Sequence, residues 1–131
     1  MRMACSIALL LVLSTIAFAQ DEESKCDGTT YDMSVCLSKI HKNVDSELNS
    51  VYRQALKAFS DNYRPQDVEN LRTAQRRWIA YRDADCRAEY GLWGGGSGGP
   101  NANLICLIKR TRQRLADLRG MHGMHELSSP R

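Results

Sequence analysis

Three long segments of the 131-residue chain place apolar residues at helical spacing. In residues 33–60 they recur in steps of three and four from Val35 to Phe59, with no Gly or Pro between them. The same spacing runs through 66–90 and again through 101–119. No segment alternates apolar and polar residues as a half-buried strand does. The pattern therefore predicts three amphipathic helices and no sheet.

The connections between these helices differ in kind. Residues 61–64 predict a turn, with Pro65 well placed near the start of the second helix. Residues 91–100 hold six of the nine glycines and predict a flexible loop. Gly120 is expected to end the third helix and to leave a loose tail. The predicted fold class is all-α, an antiparallel three-helix bundle.

The first residues have the character of an export signal. Arg2 precedes an apolar run over 7–18, and the small residues that follow fit cleavage after Ala19. The run is shorter than the roughly 20 residues that a membrane span needs. We expect residues 1–19 to be a signal peptide and 20–131 to form a single domain. That domain is expected in the periplasm, or alternatively outside the cell, with no membrane anchor after cleavage.

An oxidising compartment changes the interpretation of the cysteines. An up-down-up bundle brings the four that remain after cleavage to one pole: Cys26, Cys36, Cys86 and Cys106. All three pairings are then open. Loop closure favours the nearest partners, Cys26 with Cys36 and Cys86 with Cys106. A metal site is the alternative, but no spacing is Cys-x-x-Cys, so we expect two disulfides and no metal.

Charge and side-chain chemistry exclude several classes of function. The chain carries 18 Lys and Arg against 15 Asp and Glu, an excess too small for a nucleic-acid binder. The three histidines are far apart, no serine lies in a nucleophile elbow and no His-Glu-x-x-His occurs. Asp85 and Glu89 are expected to form a solvated acidic face. Met121 to His125 has soft metal ligands, but a frayed terminus is the simpler interpretation. We expect no enzyme and no cofactor.

The second helix carries polar residues where a buried stripe is predicted. The residues concerned, with the tryptophan between them, are Gln75, Trp78 and Arg82. Antiparallel packing of the first two helices predicts Asp45 near Arg82, and Asn49 near Gln75 or Arg76. Buried polar groups need partners, since an unsatisfied one costs roughly 1–3 kcal/mol. We interpret the set as a structural network that fixes the register; an anion-binding groove is the alternative.

Two segments of the chain have distinctive sequences: residues 45–52 read DSELNSVY, and residues 74–86 read AQRRWIAYRDADC. They resemble the A-D-x-E-L-N-x-x-Y segment and the A-Q-R-x-W-x-x-Y-R-D-A-x-C signature of the LprI-type lysozyme-inhibitor family. Val44 stands in place of the usual Ala of the first segment. The likeness covers 26–119, and Cys26 and Cys36 occupy the positions of the family's first pair. The C-terminal pattern is followed by Gly95, Gly96, Ser97, Cys106, Thr111, Arg114 and Leu118. Gly98 and Gly99 are extra glycines.

The resemblance implies an exported, disulfide-bonded protein that binds and inhibits a lysozyme. An envelope-stress or structural interaction protein without inhibitory activity is the alternative. The residues themselves place the candidate contacts at the glycine loop, with Leu92 and Trp93 on it and Arg87 beside it. Trp93 folded back onto the end of the bundle is the other interpretation. Net positive charge disfavours steering towards basic lysozymes. A local acidic patch is expected from Asp21, Glu22, Glu23, Asp27 and Asp32.

Overall fold

The computed structural model describes residues 22–128, with helices over most of that range. A short 3-10 turn, Glu22–Lys25, precedes three α-helices: α1 (Thr30–Asn62), α2 (Pro65–Gly91) and α3 (Gly99–Ser128). No strand occurs between residues 22 and 128. The predicted all-α, antiparallel three-helix fold is confirmed, and α1 and α2 extend the predicted ranges by at most three residues at each end. The predicted signal peptide lies outside the described residues.

Local sequence sets both ends of α1. The Thr29 side chain accepts a hydrogen bond from the backbone N–H of Asp32 at 3.2 Å. The Asp32 carboxylate in turn accepts from the Thr29 N–H at 3.0 Å, which completes a capping box. At the other end the Tyr63 N–H donates to the Phe59 carbonyl at 2.9 Å. Pro65 then opens α2, where its missing N–H costs nothing, as the sequence predicts.

Polar contacts between the helices give their relative directions. Ser34, near the start of α1, donates to Asn101 at the start of α3, so these two helices run parallel. Asp45 of α1 contacts Arg82 of α2, whereas Ala55, further along α1, shares a core cluster with Leu71. Residue numbers therefore fall along α2 as they rise along α1, and α2 is antiparallel to both neighbours. The bundle is up, down and up.

Two clusters of buried side chains form the core. The larger lies between all three helices and contains Leu48, Ala55, Leu71, Leu115 and Leu118. The smaller lies at the disulfide end and contains Cys26, Leu37 and Ile108. Burial of this apolar area drives the packing of amphipathic helices that would be marginal alone. Within residues 22–128, no helix is apolar enough over a sufficient length to cross a membrane.

The third helix corrects the predicted boundary at Gly120. The α3 helix continues through Gly120 to Ser128 instead of ending in a loose tail. A glycine within a helix costs only about 1 kcal/mol, and Met121 packs against the main core cluster immediately after it. Burial of Met121 offsets that cost. Gly120 also has no positive φ, so it does not have the backbone conformation of a glycine C-cap.

Candidate functional site

Two disulfides fasten the end of the bundle where α1 begins and the α2–α3 loop lies. Cys26 is bonded to Cys36 with a Cα–Cα distance of 5.7 Å. Cys86 is bonded to Cys106 at 5.5 Å. These are the two nearest-partner pairs that loop closure favoured. The first bond holds the segment before α1 against that helix, and the second joins α2 to α3 on either side of the glycine loop.

The glycine loop is wound into successive turns. Hydrogen bonds run from the Gly94 N–H to the Gly91 carbonyl, from Gly96 to Trp93 and from Gly99 to Gly96, at 3.2, 2.8 and 3.0 Å. Gly94 and Gly95 have φ values of 54° and 83°, a region that favours glycine. The backbone therefore folds back on itself instead of extending into solvent, and the loop is shorter in space than its ten residues imply.

The aromatic ring of Trp93 rests on a glycine that has no room for a side chain. A Cβ added at Gly98 would lie 2.6 Å from Trp93 Cζ3. A Cβ at Gly99 would lie 3.0 Å from the ring of Tyr90. The two glycines that depart from the family pattern thus provide flat surfaces for two aromatic rings. Trp93 remains 54% exposed and Leu92 85% exposed, so the loop presents apolar surface to solvent.

Some charged residues at this end of the bundle form ion pairs within the protein, and others do not. Arg87 is exposed and makes no hydrogen bond or ion pair within the described residues. Asp85, in contrast, accepts from Arg110 Nε at 2.8 Å, and Glu89 lies 4.0 Å from the same guanidinium. The predicted solvated acidic face is therefore wrong for Asp85, which bridges α2 to α3.

One group of ligand-type atoms clusters here without forming a free metal site. Oxygen atoms of Asp85 and Glu89 lie within 4.8 Å of Cys106 Sγ. That sulfur is already bonded to Cys86, so it has no thiolate to offer a metal. The Asp85 carboxylate is occupied by Arg110. The arrangement is best explained as an ion pair packed beside a disulfide.

Two of the five residues of the predicted acidic patch, Glu23 and Asp32, are engaged within the protein. Glu23 accepts two hydrogen bonds from Arg112 Nη1, at 2.6 and 2.7 Å, and its side chain is only 13% exposed. Asp32 belongs to the capping box of α1, where the Thr29 hydroxyl lowers the pKa of its carboxyl group. Asp27 is exposed. Asp21 and the Glu22 side chain lie outside the described part of the chain, so a continuous acidic surface is not established.

A polar network crosses the middle of the bundle, and it contains the predicted contact of Asp45 with Arg82. Arg82 Nη1 lies 3.3 Å from Asp45 Oδ1, and Arg82 Cζ lies 5.1 Å from the centre of the Trp78 ring. Asn49 does not reach Gln75: it donates to Asp45, one turn back on its own helix, at 3.1 Å. Gln75 instead accepts from Arg114 Nε at 3.0 Å.

The prediction for Asn49 was wrong because it considered only two helices. The α3 helix packs against both of the others, and its Arg114 side chain occupies the Gln75 amide oxygen as a hydrogen-bond donor. Arg76, the other partner considered, is exposed and bonds to Glu69 and Thr73 on its own helix. Of the polar residues on the inner face of α2, Gln75 is therefore hydrogen-bonded from α3, whereas Arg82 has partners on all three helices.

Known proteins resemble this chain over most of its length. The sequence model of the family described as lysozyme inhibitor LprI matches residues 21–118. The chain belongs to this family. The uncharacterized protein R02472 from Rhizobium meliloti (strain 1021) is 33% identical over 127 residues, which cover 88% of this chain and 91% of the relative. No solved structure matches the chain.

These contacts explain why the residues of the LprI signature occur together in the sequence. Its inward-facing residues on α2 meet the C-terminal pattern on α3 pair by pair: Cys86 with Cys106, Arg82 with Thr111, and Gln75 with Arg114. The parts of the resemblance that lie on α2 and α3 therefore form one antiparallel interface. Sequence reasoning missed the last two pairs. The signal was available, because the Cys86–Cys106 pairing fixes the register of α2 against α3.

Two further contacts between distant segments carried no recognisable sequence signal. The buried side chain of Asn101 accepts from the Ser34 hydroxyl and donates to the Thr30 carbonyl at 3.2 Å, which joins the starts of α1 and α3. Arg112 binds Glu23 across 89 positions of sequence. Polar residues of these types are common on helix surfaces, and only the tertiary arrangement selects these as partners.

Proposed function

We propose that this LprI chain binds a lysozyme and inhibits it, and that the disulfide-anchored loop carries the contact. The family assignment supports a protein partner of this class. The observation that carries the placement is the exposure of Leu92 and Trp93 on a wound loop whose base is joined by Cys86–Cys106. Exposed tryptophans on rigid supports are frequent hot spots of protein interfaces. A preformed loop also loses little conformational entropy on binding.

Electrostatics offers a complementary role for Arg87. A lysozyme cleft contains two catalytic carboxyl groups on either side of the scissile bond. Arg87 is an exposed cation on the last part of α2 and is not engaged by any described residue. Removal from water would strengthen its attraction to a carboxylate, whereas a pair that stays wet contributes about 0–1 kcal/mol. We propose that Arg87 faces these carboxyl groups while Trp93 fills an apolar sugar subsite.

The location of the protein is part of this proposal. Arg2, the apolar run over 7–18 and the small residues before Gln20 have the order of a secretory signal. Two disulfides are consistent with an oxidising compartment. We propose export to the periplasm, where a lysozyme that crosses the outer membrane would be met. Amino-terminal sequencing of the exported protein should begin at Gln20, and a start at Met1 would contradict the proposal.

Inhibition can be measured by the clearing of cell-wall suspensions with purified protein and animal lysozymes of more than one type. We expect Trp93→Ala to raise the inhibition constant at least about tenfold, the effect of losing a hot-spot tryptophan. Tyr81→Ala is a matched control, because Tyr81 on α2 is also 54% exposed. Arg87→Ala is paired in the same way with Arg77→Ala, another exposed arginine of α2. Both controls should inhibit within about twofold of the parent.

Each alternative has its own outcome. Equal inhibition by the parent and by Trp93→Ala would move the contact surface away from the loop. Loss of inhibition in Tyr81→Ala alone would place it on the outer face of α2. No inhibition of any lysozyme at micromolar concentration would favour the interaction protein without inhibitory activity. Gly98→Ala keeps the Trp93 side chain but moves its ring, since the new Cβ must displace it. This variant therefore tests whether inhibition depends on the position of the ring as well as on its presence.

A further inference from the structure

A groove lies between α2 and α3 at the end of the bundle opposite the disulfides. Its volume is about 310 Å³, at the lower end of the range for small-molecule sites. Its apolar lining consists of Leu71 and Ala74 of α2, Met121 of α3 and Phe59 of α1. The lining is mostly apolar, with a cationic group, Arg114, at one side. An apolar groove with one charged group can orient an amphiphilic ligand.

Arg114 lacks the anionic partner that a partly buried arginine needs. Its Nε donates to Gln75, and its Nη2 is buried with no hydrogen-bond acceptor among the described residues. No described carboxylate lies within ion-pair distance of this guanidinium. The centre of the Trp78 ring lies 6.0 Å from its Cζ. Burial lowers the pKa of Arg114, because the charged form loses hydration, and the charges of Asp117 on α3 and Tyr52 on α1 oppose this effect only in part.

The other charged residue at the groove is already neutralised. Asp67 accepts from Arg64 Nε at 3.0 Å and from Arg64 Nη2 at 3.1 Å. This two-point contact with Arg64 lowers the pKa of the Asp67 carboxyl group and keeps it paired. Asn70, the remaining polar residue of the lining, is uncharged. Among the described lining residues, Arg114 is therefore the one charge without an ion-pair contact, and charge complementarity favours an anion.

We propose that this groove binds a small amphiphilic carboxylate, with its apolar body between Leu71, Ala74 and Met121 and its carboxylate at Arg114. A carboxylate can accept a charge-assisted hydrogen bond from Nη1, the nitrogen that is neither bonded to Gln75 nor enclosed. Arg114 and Met121 are two helical turns apart, about 10.5 Å along the axis, which suits a short acyl chain. This site is separate from the loop at the other end of the bundle and does not depend on lysozyme binding.

Octanoate is a suitable probe, and Trp78 reports on the site. The chain has two tryptophans, so Trp93→Phe leaves Trp78, within 6.0 Å of Arg114, as the only indole. Titration of the Trp93→Phe protein with octanoate should change Trp78 fluorescence saturably at or below millimolar concentration. The neutral analogue 1-octanol should bind at least about tenfold more weakly, because it cannot form the charge-assisted pair. Calorimetry on the unsubstituted chain provides a second measurement.

Two substitutions test the two halves of the site. Arg114→Gln should weaken octanoate binding at least about tenfold while leaving 1-octanol unchanged. Ala74→Leu fills the groove from an exposed position and should abolish binding with Arg114 intact, whereas Ala80→Leu, exposed elsewhere on α2, should bind like the parent. Equal affinity for octanoate and 1-octanol, full binding by Ala74→Leu, or no saturable signal in the folded parent would each overturn the proposal.

Discussion

Arg82 and Asp45 face each other across the boundary between α2 and α1, with Nη1 and Oδ1 3.3 Å apart. The same guanidinium donates through Nε to Asp83 at 2.9 Å and through Nη1 to Thr111 of α3 at 3.4 Å. Its side chain is 11% exposed, whereas that of Asp45 is 40% exposed. One buried cation thus joins all three helices, and only part of its compensation comes from Asp45.

Asp45→Ala should therefore destabilise the protein by about 1–2 kcal/mol, between the values for surface and for fully buried pairs. Combination with Arg82→Met should recover much of the loss, since no uncompensated charge then remains. Urea unfolding of the single and double variants measures both effects. Asp61→Ala is the control, because its pair with Lys57 is exposed and should matter little. A neutral Asp45→Ala would show that Asp83 and Thr111 alone satisfy Arg82.

The two disulfides should each contribute about 3 kcal/mol by restricting the unfolded chain, since they close loops of 10 and 20 residues. Reduction should lower the melting temperature by several degrees or more in a domain of this size. Peptide mapping without reduction should recover Cys26 joined to Cys36 and Cys86 joined to Cys106. A fragment joining Cys36 to Cys86 would contradict both the structure and the loop-closure argument.

Gly120→Ala should stabilise the protein by roughly 0.5–1 kcal/mol. A Cβ at Gly120 meets nothing within 4 Å, and the residue is within α3 with a negative φ. Gly95→Ala is the contrasting variant, because Gly95 has a φ of 83° and Ala should destabilise there. Thermal unfolding compares the two. Destabilisation by Gly120→Ala would mean that α3 ends at this glycine with a left-handed cap, as the sequence alone predicted.

His41 should make stability fall as the pH drops below about 6.5, the ordinary pKa of an imidazole. Its Nε2 is buried without a partner among the described residues. Burial lowers the pKa of the imidazole from 6.5, an effect that Asp45 on the same helix and Asp83 on α2 oppose and that Arg82 on α2 reinforces. The unfolded chain therefore takes up the proton first as the pH falls. The contribution is complete above pH 6.5 and is lost progressively below it.

Urea unfolding at several pH values between 5 and 7.5 tests this assignment. The His41→Gln variant should show a flatter dependence than the parent, because it removes the titrating group from both states. Asp32→Asn is the control, since the pKa of Asp32 lies below 3.8 and its loss should shift stability without changing the slope in this window. An unchanged slope in His41→Gln would assign the pH dependence to other groups.

Local sequence determined the helices and most of their ends. The apolar spacing, the capping residues before α1 and Pro65 at the start of α2 act over a few neighbours, so they can be recognised without the fold. Gly120 was the exception. Its position resembles a C-cap, and the burial of Met121 beyond it, which only packing reveals, continues α3 instead.

The disulfide pairs and the contact of Asp45 with Arg82 also followed from the sequence, because loop closure and antiparallel register are simple geometric constraints. What the sequence did not determine was how α3 would divide its contacts between the other helices. Gln75 bonds Arg114 and not Asn49, and Asp85 bonds Arg110 and not water. The tertiary structure also decided that Trp93 rests on Gly98 and that Arg114 stands unpaired at an apolar groove. These contacts depend on the distances between side chains of different helices, and those distances are set only when all three helices are packed together.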